Sequence, residues 1–345
     1  MSPEFYKNDI TKLNQLTYKG IVMSIQLLTL NEVKQSITMS QAIMAMERAF
    51  IQLGKAEVAL PLRTGIAITK EQALTLTMPA YLEQDHALGL KVVSIFPNNS
   101  RQNKPSITGF ITLLDAHTGE PIALMDAAFL TALRTGAVTG LATKYFAAKY
   151  AQHLAIIGSG VQAETQLEAV TTVRDIKQIS IWSRNHENAQ KFADKFAPHY
   201  EVNVCASIPL AIRDADIICT ATGSHEALIH LNDVPKHAHI NAIGSHTPEM
   251  KEISSEVLEH AVVIVDQLTA ALAESGEIIH ALAQGQLKKE TIIELGNWLL
   301  HQAPDYQNKL TVFKSVGLSI QDVSIASVVY QNAMAAKLGT AFEFN

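Results

Sequence analysis

From His153 onward, short runs that are apolar on both faces alternate with longer stretches whose apolar residues recur at helical spacing. HLAIIG, QISIWS, VNVCA, DIICTAT, HINAIG and AVVIVD are the short runs, and the alternation continues to about residue 312. A strand apolar on both faces is one buried between layers of helices, so this half predicts a parallel, doubly wound sheet. The pattern before His153 differs. IQLLTL reads as a short strand, with Asn31 as candidate cap of the turn beginning NEVKQ. MSQAIMAMERAFIQLGKAE has helical spacing and predicts a helix ending near Gly54. GIAITK, ALTLTMPAYL, LGLKVVSIFP, SITGFITLLD and EPIALMDAA are strand-like runs separated by turns, and HTG between the last two marks a hairpin. This is an α+β module with an antiparallel meander. FLTALRTGAVTGLATKYFAAKY predicts one long helix leading into the second half. TVFKSVGLSIQDVSIASVVYQNAMAAKLG places another long helix after the final strand, expected to return to the first module.

The turn after the first buried run carries chemistry. Residues 153–163 read HLAIIGSGVQA and lead into ETQLEAVTTV. Gly158, Gly160 and Ala163 fit the G-x-G-x-x-A form of the dinucleotide-binding fingerprint, in the strand–turn–helix setting it requires. The first glycine permits the tight turn, the second lets the backbone approach a pyrophosphate, and the alanine lets helix pack on strand. Phosphates then sit over the helix N-terminus, where free N–H groups and the macrodipole favour negative charge. Without a ligand the same residues make a plain structural turn. The second strand of such a unit ends roughly 20 residues further on. QISIWS supplies it, followed by Ser183, Arg184 and Asn185. NAD binders usually place an acid here to hold the ribose 2′-hydroxyl, and this chain has none before Glu187. Arg184 between Ser183 and Asn185 suits a 2′-phosphate instead, so NADP(H) is the preferred cofactor and NAD(H) a possible one. The alternative for Arg184 is a solvated turn residue.

At 345 residues the chain is long enough for two domains, with 48% apolar and 17% charged residues. Net charge is −6 with no basic block, so the electrostatics give no support for nucleic acid as a partner. Cys205 and Cys219 lie in separate segments without metal-ligand spacing and read as buried small hydrophobes in a reducing cytoplasm. His225, His230, His237 and His239 straddle a turn, a proline and a strand; they read as surface and loop side chains, and no metal is expected. No run approaches the ~20 apolar residues of a membrane span. Residues 1–22 hold Lys7, Asp9, Lys12 and Lys19, lack a signal core, and read as an extension before a fold beginning near Met23.

Three cations stand out. Arg63 sits in PLRTGI, Lys91 inside the apolar strand pattern LGLKVVSI, and Arg134 in the first turns of the helix at LRTGAVTG. A buried lysine is costly unless it is paired or serves a cleft. A cation near a helix N-terminus opposes the dipole unless an anion is present. The three suggest a clamp for a carboxylate or phosphate; the alternative is three unrelated salt bridges. For Lys91 alone, strand alternation also allows a solvent-facing position.

LTALRTGAVTGLATKY, IIGSGVQA, IWSRNHENAQKFA and TVFKSVGLSIQD together resemble the ornithine cyclodeaminase/mu-crystallin family, over nearly the whole chain from Met23. The Trp-Ser-Arg-Asn turn and the TVFKS run are most similar to its ketimine reductase branch. The resemblance implies a two-domain dimer paired through the first module, with Arg63, Lys91 and Arg134 meeting a substrate carboxylate beside the nicotinamide. One departure matters. Cyclodeaminases of the family carry a catalytic Asp in G-x-D-x-P-G-K-x-E-L; here the run is NAIGSHTPEMKEIS, with His246 in its place and Glu249 and Met250 for the Gly-Lys. This suits a reductase of cyclic imines.

The expected fold class is therefore α/β: a Rossmann-type doubly wound nucleotide domain over 137–317, and an α+β substrate-binding and dimerisation domain from 23–136 and 318–345. The cofactor is expected to meet Thr135, Gly158, Gly160, Val161, Gln162, Ser183, Arg184, Asn185, Ala221, Thr222, Ser245, Ser315 and Gly317. Lys91 and His246 are the catalytic candidates. The expected activity is reduction of a cyclic 2-imino acid at its C=N bond. Ornithine cyclodeamination, amino-acid dehydrogenation and non-catalytic binding are the competing readings.

Overall fold

The computed structural model describes residues 23–344. The expectation for residues 1–22 lies outside the described residues. β1 (Met23–Leu28) leads through α1 (Leu30–Gln35) and α2 (Met39–Gly54) to β2 (Val58–Ala59). The meander follows as β3 (Thr64–Ile68), β4 (Ala73–Leu82), β5 (Ala87–Ile95), β6 (Ile107–Asp115) and β7 (Pro121–Asp126). The long helix α3 (Ala128–Phe146) crosses to the second half. There the chain forms β8 (His153–Ile157), α4 (Val161–Val173), β9 (Gln178–Trp182), α5 (His186–Phe196), β10 (Glu201–Val204), α6 (Ile208–Ile212) and β11 (Ile217–Thr220). It continues through β12 (His239–Ala242), α7 (Ser255–His260), β13 (Val262–Val265), α8 (Leu268–Glu274), α9 (Gly276–Ala283), β14 (Ile293–Glu294), α10 (Leu295–His301) and β15 (Thr311–Lys314). α11 (Ser319–Ala335) and β16 (Thr340–Phe344) end it.

The first sheet runs β16-β1-β7-β6-β5-β4-β2, with β3 also on β4. Its pairs are antiparallel except β1 with β7. Along β5, buried and half-buried residues alternate strictly from Ala87 to Val93, the mark of a sheet with one covered face. On that face Ala80, Leu82, Ile111, Leu113 and Met125 pack with Phe50 of α2, Leu130 of α3 and Val323 of α11 in one core. Each large side chain so buried stabilises the fold by roughly 1.5–3 kcal/mol before entropy. Ser319 and Ser324 fasten α11 by donating to the carbonyls of Pro79 and Ala45. The last helix thus returns to the first module, as its sequence suggested.

The second sheet runs β10-β9-β8-β11-β12-β15-β13-β14 with every pair parallel, the doubly wound arrangement. Strands β8, β11, β12 and β15 are buried almost throughout, which is why their sequences show no alternation. β15 enters between β12 and β13, so the last strand of the sheet is an interior one.

Several expectations are corrected. Thr29, not Asn31, caps α1: its hydroxyl accepts from Glu32 N while the Glu32 carboxylate accepts from Thr29 N, a reciprocal box that only the residue preceding the helix can make. His239 is not a surface residue. It lies fully buried in β12, hydrogen-bonded to Thr311 and Asn241, and burial pushes its pKa down to about 3. Cys219 is buried, but Cys205 is only partly so. β16 follows a helix end that gave no strand pattern, and it pairs antiparallel with β1.

Candidate active site

The fingerprint turn sits at the carboxyl end of β8. Gly158 has φ +118, a conformation that side-chain-bearing residues avoid, and a Cβ there would strike the Ala221 carbonyl. Gly160 caps α4 with no side-chain hydrogen bond, and a Cβ on it would meet only open space. The helix therefore presents an uncovered, uncapped N-terminus, as a phosphate cradle needs. Val161 beside it is exposed. Ser159 donates to Ser183 at 2.9 Å and ties this turn to the end of β9. Arg184 next to it is exposed, and no carboxylate among the described residues pairs with it. Asn185 is engaged within the fold. Its side-chain oxygen accepts from the N–H groups of Glu187 and Asn188 and caps α5. Only its amide group remains for a ligand.

A cavity of about 260 Å³ opens beside this turn. The first sheet contributes Leu76, Met78, Lys91, Val93, Ile95 and Ile107, and the loop before β3 contributes Arg63. Thr131, Arg134 and Thr135 come from α3, and Gln162 from α4. Ala221, Thr222, Ile243, Gly244, His246, Ser315 and Val316 come from the ends of the parallel strands. All three cations that stand out in the sequence line this one space.

Each cation has a resident partner. Lys91 lies on the buried face of β5, with its Nζ 2.6 Å from Asp322 Oδ2. Arg134 Nε is 3.3 Å from Asp322 Oδ1, and its Nη1 donates to Gln321 Oε1 at 2.8 Å. Both Asp322 contacts are close ion pairs. Asp322 is buried in the first turn of α11, where the helix dipole favours an anion. Arg63 is ion-paired with Glu274 of α8. Burial pushes the pKa of Lys91 down to about 8; Asp322 opposes this, and Arg134 and Arg63 add to it.

The surrounding turns are held by buried carboxylates. Glu252 accepts from the hydroxyls of Thr220 and Thr222 and from Thr222 N and Gly244 N, joining two strand ends that face the cavity. Asp266 accepts from Ser315 Oγ, Val316 N and Gly317 N, each at 2.9 Å. That turn passes under Arg134: Gly317 has φ +87, and a Cβ there would collide with the guanidinium. His246 lies at the rim, its Nδ1 3.1 Å from the Gly244 carbonyl. Part of its ring reaches solvent, yet desolvation still lowers its pKa; the Gly244 contact opposes this, and Arg63, Lys314 and Arg134 add to it.

The pattern of the ornithine cyclodeaminase/mu-crystallin family matches residues 23–337. The chain belongs to that family. Delta(1)-pyrroline-2-carboxylate reductase of Bacillus cereus is 36% identical over 323 residues, covering 91% of this chain and 98% of the relative. Ketimine reductase mu-crystallin of Rattus norvegicus is 35% identical over 280 residues, covering 81% and 87%. The structure of Thermococcus litoralis Delta(1)-pyrroline-2-carboxylate reductase in complex with NADH and L-proline superposes with a TM-score of 0.88 at 36% identity, covering 92% of this chain and 99% of that one.

Within this family member, Thr135, Gln162, Ala221, Thr222 and Ser315 line the cavity. Ser245 does not. It is wholly buried in the bend after β12, its hydroxyl donating to Glu277 and accepting from Lys314. Gly317 makes room for Arg134 and does not line the cavity. Sequence reasoning missed Asp322, Glu274, Asp266 and Glu252. Asp322 left a trace: a lysine in a buried strand demands an anion, and Asp322 sits in the TVFKSVGLSIQD run.

Proposed function

We propose that this protein is a nicotinamide-dependent reductase of a cyclic 2-imino acid, pyrroline-2-carboxylate or piperideine-2-carboxylate, with NADPH preferred. Under this reading residues 23–136 and 318–345 form the substrate-binding domain and 137–317 the nucleotide domain. The observation that carries it is the convergence of Lys91 and Arg134 on one cavity with the fingerprint helix and strand ends that would hold a dinucleotide. The dinucleotide, when bound, supplies the hydride to the imine carbon. Lys91 and Arg134 hold the carboxylate, and Arg63 adds N–H donors. Leu76, Met78, Val93 and Ile95 exclude water from the ring. Lys91, poised near neutrality, keeps or passes the proton at the imine nitrogen. His246 in place of an aspartate disfavours the cyclodeaminase reading. Absorbance at 340 nm with NADPH and a cyclic ketimine, against ammonia release from ornithine without added reductant, tests the assignment. Ammonia release alone would sink it.

A pH dependence follows from Lys91. Below its pKa of about 8 the ammonium is charged and holds the carboxylate; above it the charge is lost. kcat/KM is expected to fall with a slope approaching tenfold per pH unit above that point. This limb should be missing from the residual activity of Lys91→Met. A profile flat from pH 7 to 10 would exclude Lys91 as the controlling group.

The protein is also proposed to be a homodimer through its first sheet. The face away from the core bears Leu88, Leu90, Val92, Leu114 and Leu124, half-buried, and Phe110, which is exposed. Such an apolar face is best covered by a second copy. Light scattering at micromolar concentration should give twice the chain mass; a monomer would contradict the proposal.

A further inference from the structure

A second cavity opens at the far end of the parallel sheet. The first is lined by residues that follow β11, β12 and β15; this one is lined by residues that precede β12 and β15 and open β13. Since these strands pair in parallel, the two cavities lie at opposite ends of the same strands. The four residues Thr311–Lys314 of β15 separate them, roughly 13 Å of extended chain. The second cavity measures about 820 Å³ against about 260 Å³ for the first. Small organic ligands occupy spaces of roughly 300–1,000 Å³ with mostly apolar walls and a few polar groups. Here Leu231, Val234, Ala261, Val262 and Leu310 supply the apolar surface. The ionisable groups are all basic: Lys236 before β12, His260 in the last turn of α7 and Lys309 before β15. No carboxylate lines this space, in a chain with 33 acids to 27 lysines and arginines. Asp233 and Glu259, its acidic neighbours in sequence, stay off the wall, and Glu259 accepts from Gln286. Neither lysine has a carboxylate partner among the described residues; Lys309 lies over the Tyr306 ring, 5.7 Å from its centroid. His260 Nδ1 is 3.0 Å from the Glu256 carbonyl. The Asn308 side-chain oxygen accepts from the Tyr150 hydroxyl, which leaves its amide N–H groups as donors beside those of Asn232.

We propose that this cavity is a second ligand site, for a small organic anion: one carboxylate or phosphate carried on an apolar chain or ring. The head group meets two lysines that no acid of the described fold answers, with amide donors from Asn232 and Asn308. The apolar body covers the surface of Leu231, Val234, Val262 and Leu310 and takes it out of water. A cation is repelled here, and a neutral apolar molecule leaves both lysines unanswered. The dinucleotide is not the occupant, because ligands of open parallel sheets that sit over a fingerprint helix lie at the carboxyl ends of the strands, and this space lies at the amino ends. The site therefore stands apart from the first cavity and does not depend on which substrate that cavity takes.

The test is calorimetric titration of the full chain with octanoate, octyl phosphate and 1-octanol, with and without excess NADP+ and NAD+. At least one of the two anions should bind once per chain, with the same affinity whether or not a dinucleotide is present. 1-Octanol should bind about tenfold more weakly, having the same body without the charge, and added salt should weaken the anions but not the alcohol. Lys236 and Lys309 are exposed, so K236Q, K309Q and the double variant should keep the native melting transition. Each single variant should weaken the anion roughly three- to fivefold and the double variant about tenfold, as expected for ion contacts at a partly wet site. K177Q, at an exposed lysine paired with Asp175, should bind the anion as the wild type does. The tighter of the two anions identifies the head group. Octanol binding as tightly as the anions, unchanged binding in the double variant, or displacement of the anion by dinucleotide would each overturn the proposal. So would the failure of both anions to bind.

Discussion

Lys91→Met lowers kcat/KM for a cyclic imino acid by a factor of about 30 to several thousand, the equivalent of roughly 2–5 kcal/mol for depriving a desolvated carboxylate of its charged partner. Dinucleotide binding, followed by fluorescence, should survive, because the strand ends and the α4 turn are untouched. Stability should not be spared. The substitution leaves Asp322 buried with Arg134 as its remaining ion partner, and breaking a buried pair costs up to about 3–5 kcal/mol. The double variant Lys91→Met/Asp322→Asn removes the stranded charge and should recover much of the melting temperature without recovering turnover. That split separates the chemical role of Lys91 from its structural one. Near-normal kcat/KM in a folded Lys91→Met protein, or turnover restored in the double variant, would refute the assignment.

Arg184→Ala should weaken NADPH by roughly 10- to 100-fold, the loss expected for charge-assisted hydrogen bonds to a phosphate, and leave NADH within about twofold. The side chain is exposed and free of carboxylate partners among the described residues, so its removal has little else to disturb. Equal losses for both dinucleotides, or none for either, would show that the 2′-phosphate is not held there.

The sequence made legible what local pattern determines. The turn showed itself at Gly158 because the backbone there admits little else. Lys91 was conspicuous because its neighbours along β5, Leu90, Val92 and Val93, are apolar. Its partner was not, because Asp322 lies in the last helix and local spacing says nothing of what a helix meets on returning. Ser245 lies in a segment that reaches the cavity, but its hydroxyl turns inward to Glu277 and Lys314, two partners distant in sequence that local spacing does not reveal. The rank of β15 within its sheet was equally hidden, since β8, β11, β12 and β15 are all buried almost throughout and sequence pattern does not order them.

That rank has a consequence for how the molecule comes into being. During synthesis the ribosome releases β12 and β13 long before β15, so the second sheet waits with a gap in its middle until residues 311–314 emerge. The helix that follows immediately brings Gln321 to Arg134, 187 positions earlier, and Asp322 to Lys91. Both halves are therefore completed by one late stretch of about 25 residues, and until it arrives the basic cleft has no acid from that helix. Folding that depends on contacts so distant along the chain is slow and exposes unfinished apolar surface. A chain stopped before residue 311 should accumulate in aggregates or on chaperones in place of yielding a separate nucleotide-binding fragment, and activity should appear only as the final segment leaves the tunnel.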